Sequence, residues 1–359
     1  MTDDDLFIDD DVARAHTLPA RVYRDAALFE RLCERAFARA WHLVPTPPEP
    51  EHVVPFELLP GFLDEPLLLA RDAAGILRCL SNVCTHRGNV IALEAGSARS
   101  LRCGYHGRRF GLDGRCQHMP EFEDVVGFPA PTDDLPFLPL DQLGPLTFAS
   151  LEPHVPFEAL VGPVARRLAH LPLADLVPDP QSARSYRVDA HFALYVDNFL
   201  EGFHVPFVHP GLARVVAWDD YPIELFPHAS LQIGIARDGE EAFAFADASL
   251  PGKRVAAYWV WLWPGTMLNF YPWGLSANVV VPESPSRTRI EYRTWLWDAS
   301  RRGAGAGGDL DTVEHEDEAI VEKVQRGVRA RLYHQGRFSV ARERAVHHFH
   351  RMLAAHLRP

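Results

Sequence analysis

Two short segments, each with one cysteine and one histidine, constrain this chain more than any other feature. The first segment, CTHRG, contains Cys84 and His86, and the second, CGYHG, contains Cys103 and His106. Sixteen residues lie between His86 and Cys103. A glycine ends each segment, and glycine permits tight turns that other residues disfavour. The pattern predicts two tight loops that present four side chains to one metal centre.

The order of the ligands distinguishes between two kinds of metal centre. Two thiolates and two imidazoles in this order are the ligand set of a Rieske [2Fe–2S] cluster, in which histidines replace cysteines on one iron. A zinc site is the competing interpretation, because two cysteines and two histidines also suit tetrahedral Zn²⁺. A zinc finger groups its cysteines together and its histidines together, whereas each segment here supplies one of each. The sequence therefore favours the cluster.

Charge and hydrophobicity argue against two classes of partner. The formal net charge is −12, whereas binding to nucleic acid needs clustered lysine and arginine. No apolar run approaches the roughly 18 residues of a membrane span, and the acidic start MTDDD has the wrong charge for a signal peptide. Cys33, Cys79 and Cys116 lie outside the ligand set and are expected as buried thiols in a reducing compartment. We expect a cytoplasmic protein with no nucleic-acid and no membrane partner.

The length of 359 residues suggests two domains. After a polar, acidic lead-in over residues 1–20, the segment from Arg24 to Trp41 has the periodicity of an amphipathic helix. Short β-like runs then alternate with turn residues, which is typical of a small all-β domain. Prolines between Pro153 and Pro180 indicate a linker. The expected division is an N-terminal helical segment at 1–40 that packs on the catalytic domain, a cluster domain at 41–153 and a catalytic domain at 154–359.

The second domain mixes helices with a strand-rich middle at 225–298, so the expected fold class is α+β. Helices are predicted at 190–205, 310–334 and 338–357. Alternation places Trp259, Trp261 and Trp263 on one face of a strand, with Trp295 and Trp297 on a possible neighbouring strand. The sequence predicts an antiparallel sheet flanked by helices.

A Rieske cluster transfers electrons, so the chain needs an acceptor for them. His204 and His209 lie close together near the end of a predicted helix, where Pro206 interrupts the helical ladder and lets both share a metal. Two histidines and one carboxylate form the facial triad of a non-haem Fe(II) oxygenase. Spacing alone leaves five candidates for the carboxylate, which are Asp311, Glu314, Glu316, Asp317 and Glu318. Most of these acids are expected in a solvated first helical turn, where they favour the helix dipole.

A glycine motif downstream does not predict a nucleotide site. Gly303, Gly305 and Gly308 match G-x-G-x-x-G, but Asp309 and Asp311 follow where a pyrophosphate would lie. Without a flavin or nicotinamide motif, the chain is expected to take electrons from a separate reductase.

With these motifs, the sequence resembles the large (α) subunit of the Rieske non-haem iron ring-hydroxylating oxygenases, and within them the choline monooxygenase-like branch. The resemblance spans nearly the whole chain, from FARAW at 37–41 through both cluster loops to the segment from Asn198 to His209 and the C-terminal tail. In that branch the third iron ligand is the Asp of a Glu-Asp pair eight residues before Gln-Arg-Gly. The pair here is Glu316-Asp317, so the resemblance implies that Asp317 is the ligand.

The resemblance also implies the fold and the assembly. It implies a small all-β Rieske [2Fe–2S] domain, a larger helix-grip-like catalytic domain with mononuclear Fe(II), and a head-to-tail homotrimer. The cluster of one subunit then lies near the iron of the next, and Glu201 contacts the neighbour's His106. Asn198 is expected to support the iron site together with Asp197. Arg108, where relatives usually have tryptophan, is expected to dock the reductase or to stiffen the subunit interface.

The implied reaction uses O₂ and electrons from a separate NAD(P)H-dependent flavin/iron–sulfur reductase. The resemblance suggests a small quaternary ammonium substrate such as choline, betaine or carnitine, hydroxylated or N-demethylated. The aromatic strands from Tyr258 to Trp263, with Phe270, Tyr271 and Trp273, would then supply a cation–π cage, or else simply fill the core of a sheet. Two alternatives stay open, an oxygenase that hydroxylates or O-demethylates an aromatic ring, and a Rieske electron carrier or other metal-containing protein without oxygenase activity.

Overall fold

The structure, a computed structural model, describes residues 6–358. The acidic start of the chain, on which the signal-peptide argument depends, lies outside these residues. The chain forms two compact units, Trp41–His154 and the combination of Met1–Ala40 with Val155–Pro359. No helix in the described residues is long and apolar enough to cross a membrane.

The unit Trp41–His154 is built from short strands. They are β1 (His42–Leu43), β2 (His52–Leu58), β3 (Glu65–Arg71), β4 (Leu77–Ser81), β5 (Gly96–Ser97), β6 (Leu101–Arg102), β7 (Arg109–Phe110), β8 (Cys116–His118), β9 (Phe137–Leu138), β10 (Leu140–Leu143) and β11 (Leu146–Ala149). Their antiparallel sheets have the orders β5-β2-β3-β4-β9, β6-β7-β8 and β1-β11-β10. The apolar sides of β3 and β4 pack with Leu101 and Phe110 into one core, which also buries Cys84 and Cys103.

The other unit contains a seven-stranded antiparallel sheet of order β12-β18-β17-β16-β15-β14-β13. Its strands are β12 (Val177–Val188), β13 (Ile223–Phe226), β14 (Ala229–Ile235), β15 (Val255–Leu262), β16 (Thr266–Tyr271), β17 (Gly274–Ser284) and β18 (Arg287–Leu296). Every residue of β14, β15 and β16 is buried. These central strands are therefore covered on both faces.

Helices cover the sheet. They are α1 (Ala26–Leu32), α2 (Phe157–Arg167), α3 (Phe192–Phe199), α4 (Val205–Val208), α5 (Leu212–Val215), α6 (Leu310–Gly327) and α7 (Arg344–Leu357). Strand register places Trp261 and Tyr292 on one face. On that face Trp261 contacts Phe349 of α7 and Tyr292 contacts Tyr195 of α3. The site described below lies between this face and the helices.

The Pro-rich segment is not a linker. Pro156 immediately precedes α2, where the fixed φ of proline suits a helix start, and Pro163 lies inside that helix. Pro178 and Pro180 lie in β12, which is an edge strand and tolerates residues without an N–H donor. The lead-in prediction is also wrong for the described residues, because Leu6, Ile8 and Leu18 are buried in the catalytic unit.

Three other predictions need correction. The helix expected at 190–205 ends at Phe199, and the chain turns before α4 begins at Val205. The helix expected to reach 334 ends at Gly327, and the last helix begins at Arg344. The tryptophan strands are not neighbours, because β16 and β17 lie between β15 and β18.

Candidate metal centres and active site

The two cysteine–histidine loops have the same backbone turn. The N–H of Gly88 donates to the carbonyl of Cys84 (3.0 Å), and the N–H of Gly107 donates to the carbonyl of Cys103 (3.1 Å). Both glycines have positive φ, +70° and +78°, which other residues rarely adopt. The repeated turn explains why each ligand pair ends in glycine.

The four loop ligands separate into a thiol pair and an imidazole pair. Cys84 and Cys103 are both buried and share a side-chain hydrogen bond, and the rings of His86 and His106 lie edge to face with centroids 4.8 Å apart. A single zinc would hold all its donor atoms at about 2.0–2.3 Å. Within residues 6–358, no three of these four ligands bring their donor atoms within 4.8 Å of one another. Two pairs on two irons fit this arrangement, and one zinc does not.

Hydrogen bonds prepare one thiol for ligation. Burial raises the pKa of Cys84. Burial also acts to raise the pKa of Cys103, but the N–H groups of Tyr105 and His106 and the Asn89 amide lower it overall. The Asn89 side chain lies 3.5 Å from the Cys103 sulfur. These hydrogen-bond donors favour the thiolate form, which is the form that binds a metal.

Arg108 is an internal brace of the cluster unit. Its side chain is 3% exposed and pairs with Asp133 (3.0 Å), and it donates to the hydroxyl of Thr85 in the first ligand loop (2.8 Å). Its guanidinium also lies over the rings of Phe122 and Phe128. The expectation that Arg108 docks a reductase is wrong, because the side chain is enclosed within its own domain. A contribution of Arg108 to a subunit interface stays a prediction.

The structure brings together three of the predicted iron ligands. His204 and His209 flank α4, and Asp317 projects from α6. The Nε2 atoms of the two histidines are 3.1 Å apart, and Oδ1 of Asp317 lies 2.9 Å from His209 Nε2 and 3.5 Å from His204 Nε2. Within the described part of the chain, this is the one trio of histidine, cysteine or acidic residues with metal-like spacing. Among the five acids that sequence spacing left open, Asp317 is the one whose carboxylate lies near the Nε2 atoms of both histidines.

Each histidine is held at its other nitrogen by a carboxylate. His204 Nδ1 lies 2.7 Å from Glu201, and His209 Nδ1 lies 2.7 Å from Glu316. Such carboxylate partners orient a ligand histidine and raise its basicity. Burial acts to lower the pKa of His209, but Asp317 and Glu316 outweigh it and raise that pKa. The sequence did not single out Glu316 for this role, although its place beside Asp317 was a signal.

Two neighbouring residues of α3, Asn198 and Asp197, have different partners. The amide of Asn198 donates to Asp317 Oδ1 (2.5 Å), as its predicted supporting role requires. Asp197 accepts from His350 Nε2 (2.9 Å). Nδ1 of that ring accepts the N–H of Leu18 (3.0 Å), so its proton lies on Nε2. Asp197 therefore fastens α3 to α7 and lies away from the metal ligands.

The other acidic candidates have separate roles. Asp311 pairs with Arg184 at the start of α6, and Glu318 is partly buried, which raises its pKa. Glu314 is 8% exposed and accepts hydrogen bonds from Tyr195 (2.8 Å), Tyr292 (2.6 Å) and Asn278 (3.1 Å). Burial, and then the charge of Asp317, raises the pKa of Glu314 to about 7.

A cavity that is partly open to solvent adjoins the triad. Its aromatic wall consists of Tyr195, Phe199, Trp218, Tyr221, Trp259 and Tyr271. The rings of Tyr221 and Trp259 stack at 5.7 Å, and the Trp259 indole N–H donates to the Tyr271 hydroxyl (3.1 Å). Of the aromatic residues that the sequence suggested for a cage, Trp259 and Tyr271 line this cavity. The others do not: Tyr258, Trp261, Trp263, Phe270 and Trp273.

Glycines create the space that this wall occupies. A Cβ on Gly202 would lie 2.8 Å from the Tyr221 ring, and one on Gly234 would lie 2.7 Å from the Trp259 ring. Real Cβ atoms essentially never approach so closely. The wall therefore depends on residues that have no side chain.

Comparisons with known proteins agree with these two centres. Residues 179–358 match the family model for the ring hydroxylating alpha subunit (catalytic domain), and residues 58–129 match the Rieske [2Fe-2S] domain. The carnitine monooxygenase oxygenase subunit of Escherichia coli (strain K12) is 30% identical, with 95% of this chain and 93% of that protein covered. The chloroplastic choline monooxygenase of Arabidopsis thaliana is 27% identical, with 96% of this chain and 84% of that protein covered.

Solved structures share the fold. A quaternary ammonium Rieske monooxygenase in complex with L-carnitine superposes with a TM-score of 0.80 at 23% identity, covering 100% of this chain and 99% of the other. Naphthalene 1,2-dioxygenase from Rhodococcus sp. gives a TM-score of 0.72 at 17% identity, covering 95% and 93%.

Fold and site together define an oxygenase with two iron centres. The chain belongs to the ring-hydroxylating oxygenase alpha subunits, the Rieske non-haem iron oxygenases. The expected α+β fold, the [2Fe–2S] cluster, the mononuclear iron and the oxidoreductase class are confirmed. The zinc and electron-carrier interpretations are wrong.

Proposed function

We propose that this chain is the terminal oxygenase that hydroxylates a small quaternary ammonium compound at a C–H bond next to nitrogen. One observation carries the proposal, the aromatic wall of the cavity beside the iron triad. Trp218, Tyr221, Trp259 and Tyr271 all line that cavity, and aromatic faces attract quaternary ammonium groups by cation–π interaction. The names of the curated relatives, carnitine and choline monooxygenases, support the same substrate class.

His204, His209 and Asp317 are the residues proposed to hold the iron. Their donor atoms converge within 3.5 Å of one another, and their chemistry suits Fe(II). The bound iron supplies open coordination positions for O₂ next to the substrate. Asn198 keeps the Asp317 carboxylate in place through its 2.5 Å hydrogen bond.

Cys84, His86, Cys103 and His106 are proposed to hold the cluster, which receives electrons from a separate NAD(P)H-dependent reductase. We propose a homotrimer in which Glu201 accepts a hydrogen bond from His106 of a neighbouring subunit. Glu201 already accepts from His204 Nδ1 and from the backbone N–H of His204. At Oε2 the backbone N–H groups of Phe203 and His204 occupy both lone pairs, whereas Oε1 accepts from His204 Nδ1 and has a second lone pair for a donor from another subunit.

The overall reaction balances with two electrons and two protons. One atom of O₂ enters the C–H bond as a hydroxyl group, and the other leaves as water. The chain's contribution is to orient the cation against the aromatic wall and to keep both histidine ligands aligned through Glu201 and Glu316. The cytoplasmic location expected from the sequence stays a prediction that cell fractionation tests.

Oxygen uptake tests the proposal. The reconstituted protein is given an electron donor and then choline, carnitine, naphthalene or a methoxybenzoate, and O₂ consumption is matched to hydroxylated product. We expect product-coupled uptake with a quaternary ammonium compound. Coupled uptake with the aromatic compounds alone would refute the proposed substrate class and favour an aromatic-ring oxygenase.

A further inference from the structure

The cavity is acidic, and the residues that line it include no lysine or arginine in the described part of the chain. Glu314 contributes a carboxylate to its wall, on the same side of α6 as Asp317. The guanidinium of Arg342 lies over the Trp218 ring and donates to the Trp218 carbonyl, and Arg342 is not among the lining residues. An anionic group in this cavity therefore meets no cationic side chain.

The hydrogen bonds around Glu314 suit an ionised carboxylate. Asn278 donates to the hydroxyl of Tyr195 (3.2 Å) and to Glu314 Oε1 (3.1 Å). Tyr195 and Tyr292 donate to Glu314 Oε2 (2.8 and 2.6 Å). Both oxygens thus accept, and three donors surround a group that makes no ion pair. Burial raises the pKa of Glu314 to about 7, whereas hydrogen bonds from several donors, and the positive charge of iron when it is bound, favour the charged form of the carboxylate.

The charge of the whole site also remains negative when iron is bound. Glu201, Glu314, Glu316 and Asp317 are four carboxylates in or directly behind the cavity wall. Fe(II) contributes two positive charges, so two negative charges remain if the histidines are neutral. A substrate with one positive charge reduces this excess, whereas a zwitterion leaves it unchanged and brings a further carboxylate that no lysine or arginine of the lining neutralises. Burying an unpaired charge is costly.

We infer that Glu314 is a fixed counter-charge of the substrate cavity, and that the cavity selects a compact organic cation without an anionic group over a zwitterion. This inference rests on the proposed function and narrows it. It makes Glu314 a residue that determines specificity through charge, since it holds no iron and contacts no iron ligand in the hydrogen-bond network described above. Choline represents the favoured class, and carnitine represents the disfavoured one.

Ligand binding tests the inference without turnover. The Fe(II)-loaded protein is titrated anaerobically by calorimetry with choline, with carnitine and with 3,3-dimethylbutan-1-ol, which is neutral but has nearly the shape of choline. We expect choline to bind on the order of tenfold more tightly than either of the others. Glu314→Gln should weaken choline binding by about tenfold and leave the neutral alcohol nearly unchanged.

Two further variants separate charge from structure. Glu318→Gln removes the same charge from the same helix outside the cavity, and should bind choline as the wild type does. Glu314→Asp retains the charge and should keep the preference for choline over the neutral alcohol. If Glu314→Gln does not fold, as shown by circular dichroism, the wild-type ligand series decides.

The possible failures are distinguishable. Carnitine binding as tightly as choline, or Glu314→Gln binding choline as the wild type does, would overturn the inference and leave the proposed function standing. Binding of the neutral alcohol but of neither charged ligand would overturn both.

Discussion

The carboxylate behind each ligand histidine should set the affinity for iron, and Glu316 offers the cleaner test. Its contact to His209 Nδ1 is 2.7 Å, and the histidine side chain is 1% exposed whereas Glu316 is 32% exposed. A hydrogen bond to a charged group contributes about 1.5–3 kcal/mol. Partial exposure places Glu316 near the lower end. Since 1.4 kcal/mol is about tenfold, Glu316→Gln should raise the Kd for Fe(II) about tenfold.

Loss of the Glu201 carboxylate should lower the affinity for Fe(II) more than loss of the Glu316 carboxylate. The Glu201 side chain is 14% exposed, and it also accepts the backbone N–H of His204 (3.0 Å), so it holds the loop as well as the ring. Loss of such partners costs 10- to 100-fold in metal affinity. Glu201→Gln should therefore approach the upper end of about 100-fold.

The assay is anaerobic competition for Fe(II) against a coloured chelator, with the cluster absorbance as an internal reference. Asp311→Asn is the matched control, because Asp311 lies on the same helix, is 64% exposed and pairs with Arg184. If Glu316→Gln holds iron as tightly as the wild type, or if Asp311→Asn weakens iron binding equally, the carboxylate behind His209 does not set the affinity.

Three further predictions concern the cluster unit, the aromatic wall and pH. Arg108→Met should destabilise the cluster unit by about 3 kcal/mol, since Asp133 loses its buried partner. Thermal bleaching of the cluster absorbance measures this loss, and an unchanged midpoint temperature would contradict it. Gly234→Ala should displace the Trp259 ring and weaken cation binding several-fold, whereas the iron content should stay constant. If calorimetry gives the variant and the wild type equal affinity for the cation, the Trp259 ring does not contact it. Burial, and then a neighbouring ligand carboxylate, raises the pKa of Glu314 to about 7. The stability that its protonated form contributes, about 3 kcal/mol, is full below pH 4.5 and is lost as pH rises through 7. In urea unfolding, the free energy of unfolding of the iron-free wild type should fall between pH 5 and 8 by about that amount more than that of Glu314→Gln. Parallel plots of this free energy against pH would disprove the assignment.

The sequence could propose most of the metal ligands because their chemistry is local. Each cluster loop carries its cysteine, its histidine and its turn glycine within five residues, so no tertiary information was needed. His204 and His209 likewise flank one short helix. Asp317, by contrast, came from the resemblance, since spacing could not choose among acids on one helix.

Spacing alone could not identify the residues that support the metal ligands, because the acids of α6 lie on different faces of the helix and meet different partners. Glu314 precedes Asp317 by three residues and so shares its face, whereas Glu316 points toward His209. Helical phase was thus a usable signal for Glu314. No comparable pattern points to Trp218 and Tyr221, which come from irregular chain after α5 and reach the cavity through tertiary packing.

Proline misled the prediction of a linker. Prolines between 153 and 180 resemble a linker in composition, yet they begin a helix and lie in an edge strand. Whether a strand is an edge strand depends on the neighbours it acquires in the sheet. The alternation of polar and apolar residues therefore could not show that this proline-containing segment forms the edge strand β12.

The most direct test of the account is the ratio of iron to acid-labile sulfide in wild type, His204→Ala and Asp317→Ala. A Rieske cluster holds two irons and two sulfides, so the account predicts about three irons and two sulfides per chain in the wild type. It predicts about two irons and two sulfides in each variant, with an unchanged spectrum of the reduced cluster. A third iron retained in both variants would contradict the assignment of the triad.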